Sequence, residues 1–177
     1  MRITLGCVWT DNNKGDAAIA LATLQELAKA FPDAEFTGIA MNAEGDPNRD
    51  FDHEFRYERE RYGLKVHGAI YPLEPPFSGN KYLTHARRIL LSVKYHLFLV
   101  AVRLLQRRAR WLLRPSARPA FDAIADCDLV VMKGGGYVFG SPRGFLWDIT
   151  RVFRPMYTAL LARLLGKPYI LCASTIC

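Results

Sequence analysis

Several things are missing from this 177-residue chain, and each absence removes a class of function. There is no Cys-x-x-C pair, and no histidine stands at metal-ligand spacing from a cysteine, so neither a zinc site nor a redox dithiol is expected. The four cysteines, Cys7, Cys127, Cys172 and Cys177, are scattered, and three of them fall in or beside expected strands. That pattern fits small buried hydrophobes in a reducing compartment rather than a disulfide framework. The amino terminus runs straight into an expected strand without a signal-type segment, which favours the cytoplasm, including a peripheral place at the inner face of a membrane. Neither G-x-G-x-x-G nor a Walker motif is present, so a dinucleotide or ATP site has no direct support. His53, His67, His85 and His96 are isolated, and no Ser or Cys pairs with them in a recognisable nucleophile motif. Catalytic residues are therefore unassigned, and no cofactor is expected.

The most local absence is of acidic residues between positions 81 and 118, a stretch with 10 basic side chains. Residues 1–80 hold 8 basic and 13 acidic groups, and residues 119–177 hold 6 and 4. The net charge of +7 thus belongs to one segment. Within it, Leu83, Ala86, Leu90, Val93, Leu97, Val100 and Leu104 recur at spacings of three and four, which predicts one long helix over 82–113 ended by Arg114-Pro115. An amphipathic basic helix suits an anionic membrane surface. The same pattern also suits a helix packed on a sheet with a solvated basic rim. The apolar stretch 89–105 is 17 residues long and carries Lys94 and His96, short of the roughly 20 that a membrane span needs. No recognised nucleic-acid-binding motif accompanies the charge, so nucleic acid is not the expected partner.

What is present is an alternation of apolar runs and helical patterns. Strands are expected at residues 2–9, 34–41, 64–71, 128–132 and 169–173. Helices are expected at 16–31, 55–62, 82–113, 120–125 and 145–165, the last with a kink or break at Pro155. This order predicts an α/β fold, a Rossmann-like parallel sheet with helices on both faces, as a single domain over 1–177. Two strand-to-helix junctions carry glycine: Asn13-Lys14-Gly15-Asp16 after the first strand and Lys133-Gly134-Gly135-Gly136 after the fourth. Ligands of open α/β sheets bind outside the carboxyl ends of the strands. Asn13, Gly15, Asp16, Lys133, Gly134, Gly135 and Gly136 are therefore the candidate substrate-binding residues. For the first junction, a structural turn with Asp16 at the helix start is an equal alternative. Three consecutive glycines favour close backbone approach to a ligand or a neighbouring domain. Lys133 would either neutralise an anion or be solvated.

These residues resemble the polysaccharide pyruvyl transferase family. The resemblance rests on Asn13-Lys-Gly15-Asp16 opening the first helix and continuing Ala-Ala-Ile19, on Asp126-Cys-Asp-Leu-Val-Val-Met-Lys-Gly-Gly-Gly136, and on Leu165-Gly-Lys-Pro-Tyr-Ile-Leu171, a helix end leading into a strand, in that order. It covers nearly the whole chain but about half of a typical member. It implies the N-terminal half of a two-domain, GT-B type transferase with a cleft between two Rossmann-like halves. The implied activity is transfer of a pyruvyl group from phosphoenolpyruvate to a sugar of a cell-surface polysaccharide, exopolysaccharide biosynthesis included. The implied acceptor is a glycan or lipid-linked sugar, and a separate C-terminal domain would hold the donor. After Ala173-Ser-Thr-Ile-Cys177 the sequence stops where the family continues, so a truncated half, inactive alone, is expected.

Overall fold

The computed structural model describes residues 1–8, 14–44, 55–71, 81–133 and 145–172. Ten regular elements build it: β1 (Arg2–Val8), α1 (Lys14–Ala30), β2 (Glu35–Ala40), α2 (Arg56–Tyr62), β3 (Lys65–His67), α3 (Lys81–Leu105), α4 (Arg118–Asp126), β4 (Leu129–Met132), α5 (Phe145–Leu164) and β5 (Tyr169–Leu171). The five strands are all parallel, in the order β3-β2-β1-β4-β5. This is the Rossmann-like arrangement that the alternating pattern predicts.

β1 lies at the centre, and its residues feed two cores. Ile3, Leu5 and Val8 pack with Leu24 of α1, Phe36, Phe55 and Leu64 on one side of the sheet. On the other side, Tyr95, Phe98 and Val102 of α3 meet Phe121 and Ile124 of α4 and Tyr157 and Leu161 of α5. Helices thus cover both faces, as parallel strands require.

The glycines of the Gly166-Lys-Pro168 and Gly63 junctions close helices. Gly166 takes φ +69°, and the amides of Gly166 and Lys167 donate to the carbonyls of Arg163 (3.2 Å) and Ala162 (2.8 Å). This pair of bonds is the Schellman stop, which needs a left-handed residue. The Pro168 carbonyl then accepts from the Val130 amide at 3.0 Å, so the helix stop hands the chain directly into the sheet beside β4.

The structure corrects three expectations. The long helix over 82–113 ends as an α-helix at Leu105, and residues Gln106–Leu112 form a 3-10 segment. Gln106 sits at φ +51°, which a continuing α-helix forbids, and the tighter segment turns Ala109 and Leu113 into the core. Helix α1 begins at Lys14, two residues earlier than expected, so Gly15 is a first-turn helical residue rather than part of the preceding turn. The third strand is three residues rather than eight; after it the Ala69 amide leaves the ladder to donate to the Asn42 carbonyl at 2.7 Å. Helix α5 runs unbroken through Pro155, so the break that is one of the two outcomes expected there does not occur.

Candidate functional site

The strand order changes direction between β1 and β4. Connections from β1 run outward through β2 to β3, whereas β4 and β5 are added on the other side. A crevice outside the carboxyl ends of strands opens at such a switch point. The carboxyl ends of β1 and β4 flank this point, because the two strands are parallel neighbours in register from Ile3 opposite Leu129 to Gly6 opposite Met132.

Lys133 follows β4 immediately and its amide donates to the Gly6 carbonyl at 3.3 Å. Its side chain is fully buried. The ammonium lies 3.2 Å from the Asp16 main-chain oxygen and 3.4 Å from Asp16 Oδ1. Asp16 stands in the first turn of α1, where the exposed N–H groups and the helix dipole favour a carboxylate. The two residues, 117 positions apart, therefore tie the start of the second glycine junction to the start of the first helix. Burial pushes the Lys133 pKa down, and the neighbouring Asp16 charge and hydrogen bond oppose that shift. Of the two roles expected for Lys133, the solvated one is excluded by its burial, and the anion beside it is an internal carboxylate.

Beside this pair β1 is irregular. Its register with β2 shifts between Leu5 and Val8, and Cys7 adopts φ +60°, a left-handed conformation that non-glycine residues rarely take. The bulge turns Cys7 toward α5, where its thiol donates to the Pro155 carbonyl at 3.0 Å. Desolvation raises the Cys7 pKa to about 12; Lys133 lowers it and Asp16 raises it. Cys7 is a neutral thiol at ordinary pH, and Cys127 is likewise a free buried thiol raised by burial. Bulges of this kind re-aim side chains beside functional crevices.

Next to Cys7 a small cavity of about 20 Å³ opens at the carboxyl ends of β1 and β2, bounded by Met41, Tyr71, Arg154, Tyr157 and Thr158. Two tyrosines wall it, and Tyr95 packs behind them: Tyr71 stacks on Tyr95 at 4.1 Å, and Tyr157 meets both edge-on at 5.5 and 5.9 Å. The Tyr157 hydroxyl donates to the Tyr95 carbonyl at 2.9 Å. The Arg154 guanidinium lies over the Tyr71 ring at 4.9 Å. None of Tyr71, Arg154, Tyr157 and Thr158 carries a motif. The only sequence signal for Arg154 and Tyr157 is that they bracket Pro155 on the helix after the glycines.

Of the residues singled out from sequence, Asp16 and Lys133 meet directly, and Gly15 precedes Asp16 in the first turn of α1. Asn13, Gly134, Gly135 and Gly136 lie outside the described residues. His67, in β3, is half-buried, and desolvation lowers its pKa. Among the described residues no group of three or more His, Cys, Asp or Glu gathers as a metal site.

A family model described as polysaccharide pyruvyl transferase matches residues 13–176. This chain belongs to the polysaccharide pyruvyl transferase family. The matched span begins at Asn13 and takes in both junctions, the buried Asp16–Lys133 pair and β5. Comparison with curated proteins and with solved structures gives no match.

Proposed function

We propose that this chain forms the acceptor side of a polysaccharide pyruvyl transferase, which moves a pyruvyl group from phosphoenolpyruvate onto hydroxyls of a glycan or lipid-linked sugar. The observation that carries the reading is that the family match spans the switch point between β1 and β4, beside which Lys133 and Asp16 meet across 117 positions. Gly15, Asp16 and Gly134 to Gly136 shape the acceptor rim, and Asn13 offers it a polar contact. Lys133, being buried, acts by fixing where the glycine stretch starts. The donor is held by a separate C-terminal domain, and the cleft between the two domains, as in GT-B enzymes, is where transfer occurs in the cytoplasm. No resident cofactor takes part. The outward face of α3 supports a membrane contact that accompanies this activity rather than replacing it.

The test is to incubate the chain with phosphoenolpyruvate and an acceptor glycan, alone and with a donor domain supplied from a family member. Ketal formation, read by the acetal methyl resonance of the product, is expected only in the reconstituted mixture. Absence of ketal there, with both domains folded, refutes the assignment.

A further inference from the structure

Helix α3 is apolar on two opposite faces. Tyr95, Phe98 and Val102 are buried in the core. Leu90, Val93, Leu97, Val100 and Leu104 form a second stripe, spaced three and four apart, and are 70, 50, 62, 55 and 75% exposed. A helix apolar all round ordinarily belongs in an interior or a membrane. The stripe continues past the helix, where Leu112 and Trp111 are 61 and 68% exposed. Between the stripe and Leu112 runs an apolar groove of about 380 Å³.

The charge around this surface has one sign. Lys94, Arg103, Arg108 and Arg114 are exposed around it, and residues 81–118 hold no acidic group. By helical spacing, Lys94 flanks one edge of the stripe and Arg103 the other. Trp111 stands between the guanidinium groups of Arg110 and Arg118, at 5.1 and 4.9 Å. An amphipathic aromatic ring among cations is the arrangement found at lipid headgroup depth.

We propose that this face binds the surface of an anionic lipid bilayer, with the leucine stripe in the acyl boundary and the basic rim among the headgroups. Charge decides between the occupants. A second copy would set one basic rim against another, whereas anionic lipid satisfies the apolar and cationic parts together. By length and composition alone, an 18-residue window within Ile89–Leu112, of mean hydropathy 1.5, could cross a membrane. Spanning would strip Tyr95, Phe98 and Val102 from the core and break the bond from Tyr157, so the helix lies along the surface. The inference is independent of the pyruvyl transfer reading.

The experiment is sedimentation of the full chain with vesicles of phosphatidylcholine alone or with about one third phosphatidylglycerol. Partition at least ten-fold stronger onto the anionic vesicles is expected, weakened by 0.5 M salt, together with a blue shift of tryptophan emission that Trp111→Phe removes. Leu97→Glu with Leu104→Glu, both at exposed positions, is expected to lower partition at least ten-fold with an unchanged circular dichroism spectrum. Equal partition onto neutral vesicles, or none onto either, overturns the proposal. So does a lipid-free dimer that the double variant dissociates, or retention of the chain in membranes washed with alkaline carbonate.

Discussion

Replacing Asp16 by asparagine removes a charge while keeping shape, and the structure fixes what it leaves behind. The Lys133 ammonium stays fully buried, 3.2 Å from the Asp16 main-chain oxygen but without the carboxylate. Removing one partner of a buried ion pair costs about 3–5 kcal/mol. The surviving carbonyl and the amide oxygen of asparagine put D16N at the lower end, about 3 kcal/mol, or roughly 6–12 °C in Tm for a domain of this size. Lys133→Met leaves a carboxylate that is slightly exposed and favoured by the α1 dipole, so its loss is smaller, about 2 kcal/mol. The double variant is expected to lose less than the sum, with a coupling of about 2 kcal/mol. Urea unfolding followed by circular dichroism measures all three.

The pH dependence carries a sign. Burial lowers the Lys133 pKa below 10.5, so the cost of burying the charge is complete below the folded pKa. That cost is relieved as pH rises through it. Without the Asp16 charge the relief begins at lower pH in D16N than in the parent. Cys7 acts oppositely: its thiol is raised from 9.0 to about 12, so its contribution is lost as pH climbs from 9 through 12. The comparison therefore belongs between pH 7 and pH 9. If D16N and K133M each change stability by less than about 0.5 kcal/mol and add independently, the buried pair does not exist as described.

Two further outcomes follow from packing. Gly68→Ala would place a Cβ against the main chain of Glu44, 2.7 Å from its Cα, and is expected to destabilise by about 1–3 kcal/mol in a urea melt; Gly63→Ala, with open space around it but φ +63°, separates backbone strain from collision. The Cys7 thiol, buried and raised to about 12, is expected to resist DTNB at pH 8 until the chain unfolds, whereas Cys172 is less buried and reacts sooner. Mass-spectrometric mapping of the labelled peptides reads the order, and prompt labelling of Cys7 in the folded chain contradicts the bulge geometry.

The sheet was legible because its signals are local. Residues Leu129–Met132 form an unbroken apolar run, Pro168 cannot continue a helix, and Ala20 and Leu24 repeat at helical spacing. Asp16 and Lys133 stood out in the sequence because each borders a glycine at an expected strand-to-helix junction. That they pair with each other was not legible, since nothing local couples positions 117 apart. The break of α3 at Gln106 was hidden for a similar reason. The apolar period runs through it unchanged, and only the docking of Ala109 and Leu113 favours the tighter turn. Tyr71 and Tyr157 escaped notice because a tyrosine in a core and a tyrosine lining a cavity read alike in sequence.

Because β1 is central yet comes first in the chain, this protein cannot be laid down strand by strand from one edge. β2 and β3 add to one side of it early in synthesis, but the other flank stays open until residues near 130 arrive. The Arg2 amide waits for the carboxylate of Asp128, a closure across 126 positions. Such distant pairings are slow because the loop must lose its freedom before any contact rewards it. The first turn of α1 is thus made well before Lys133, the residue that Asp16 pairs with. On the ribosome, the unfinished sheet leaves the fourth-strand side of β1 without its cover until β4 emerges.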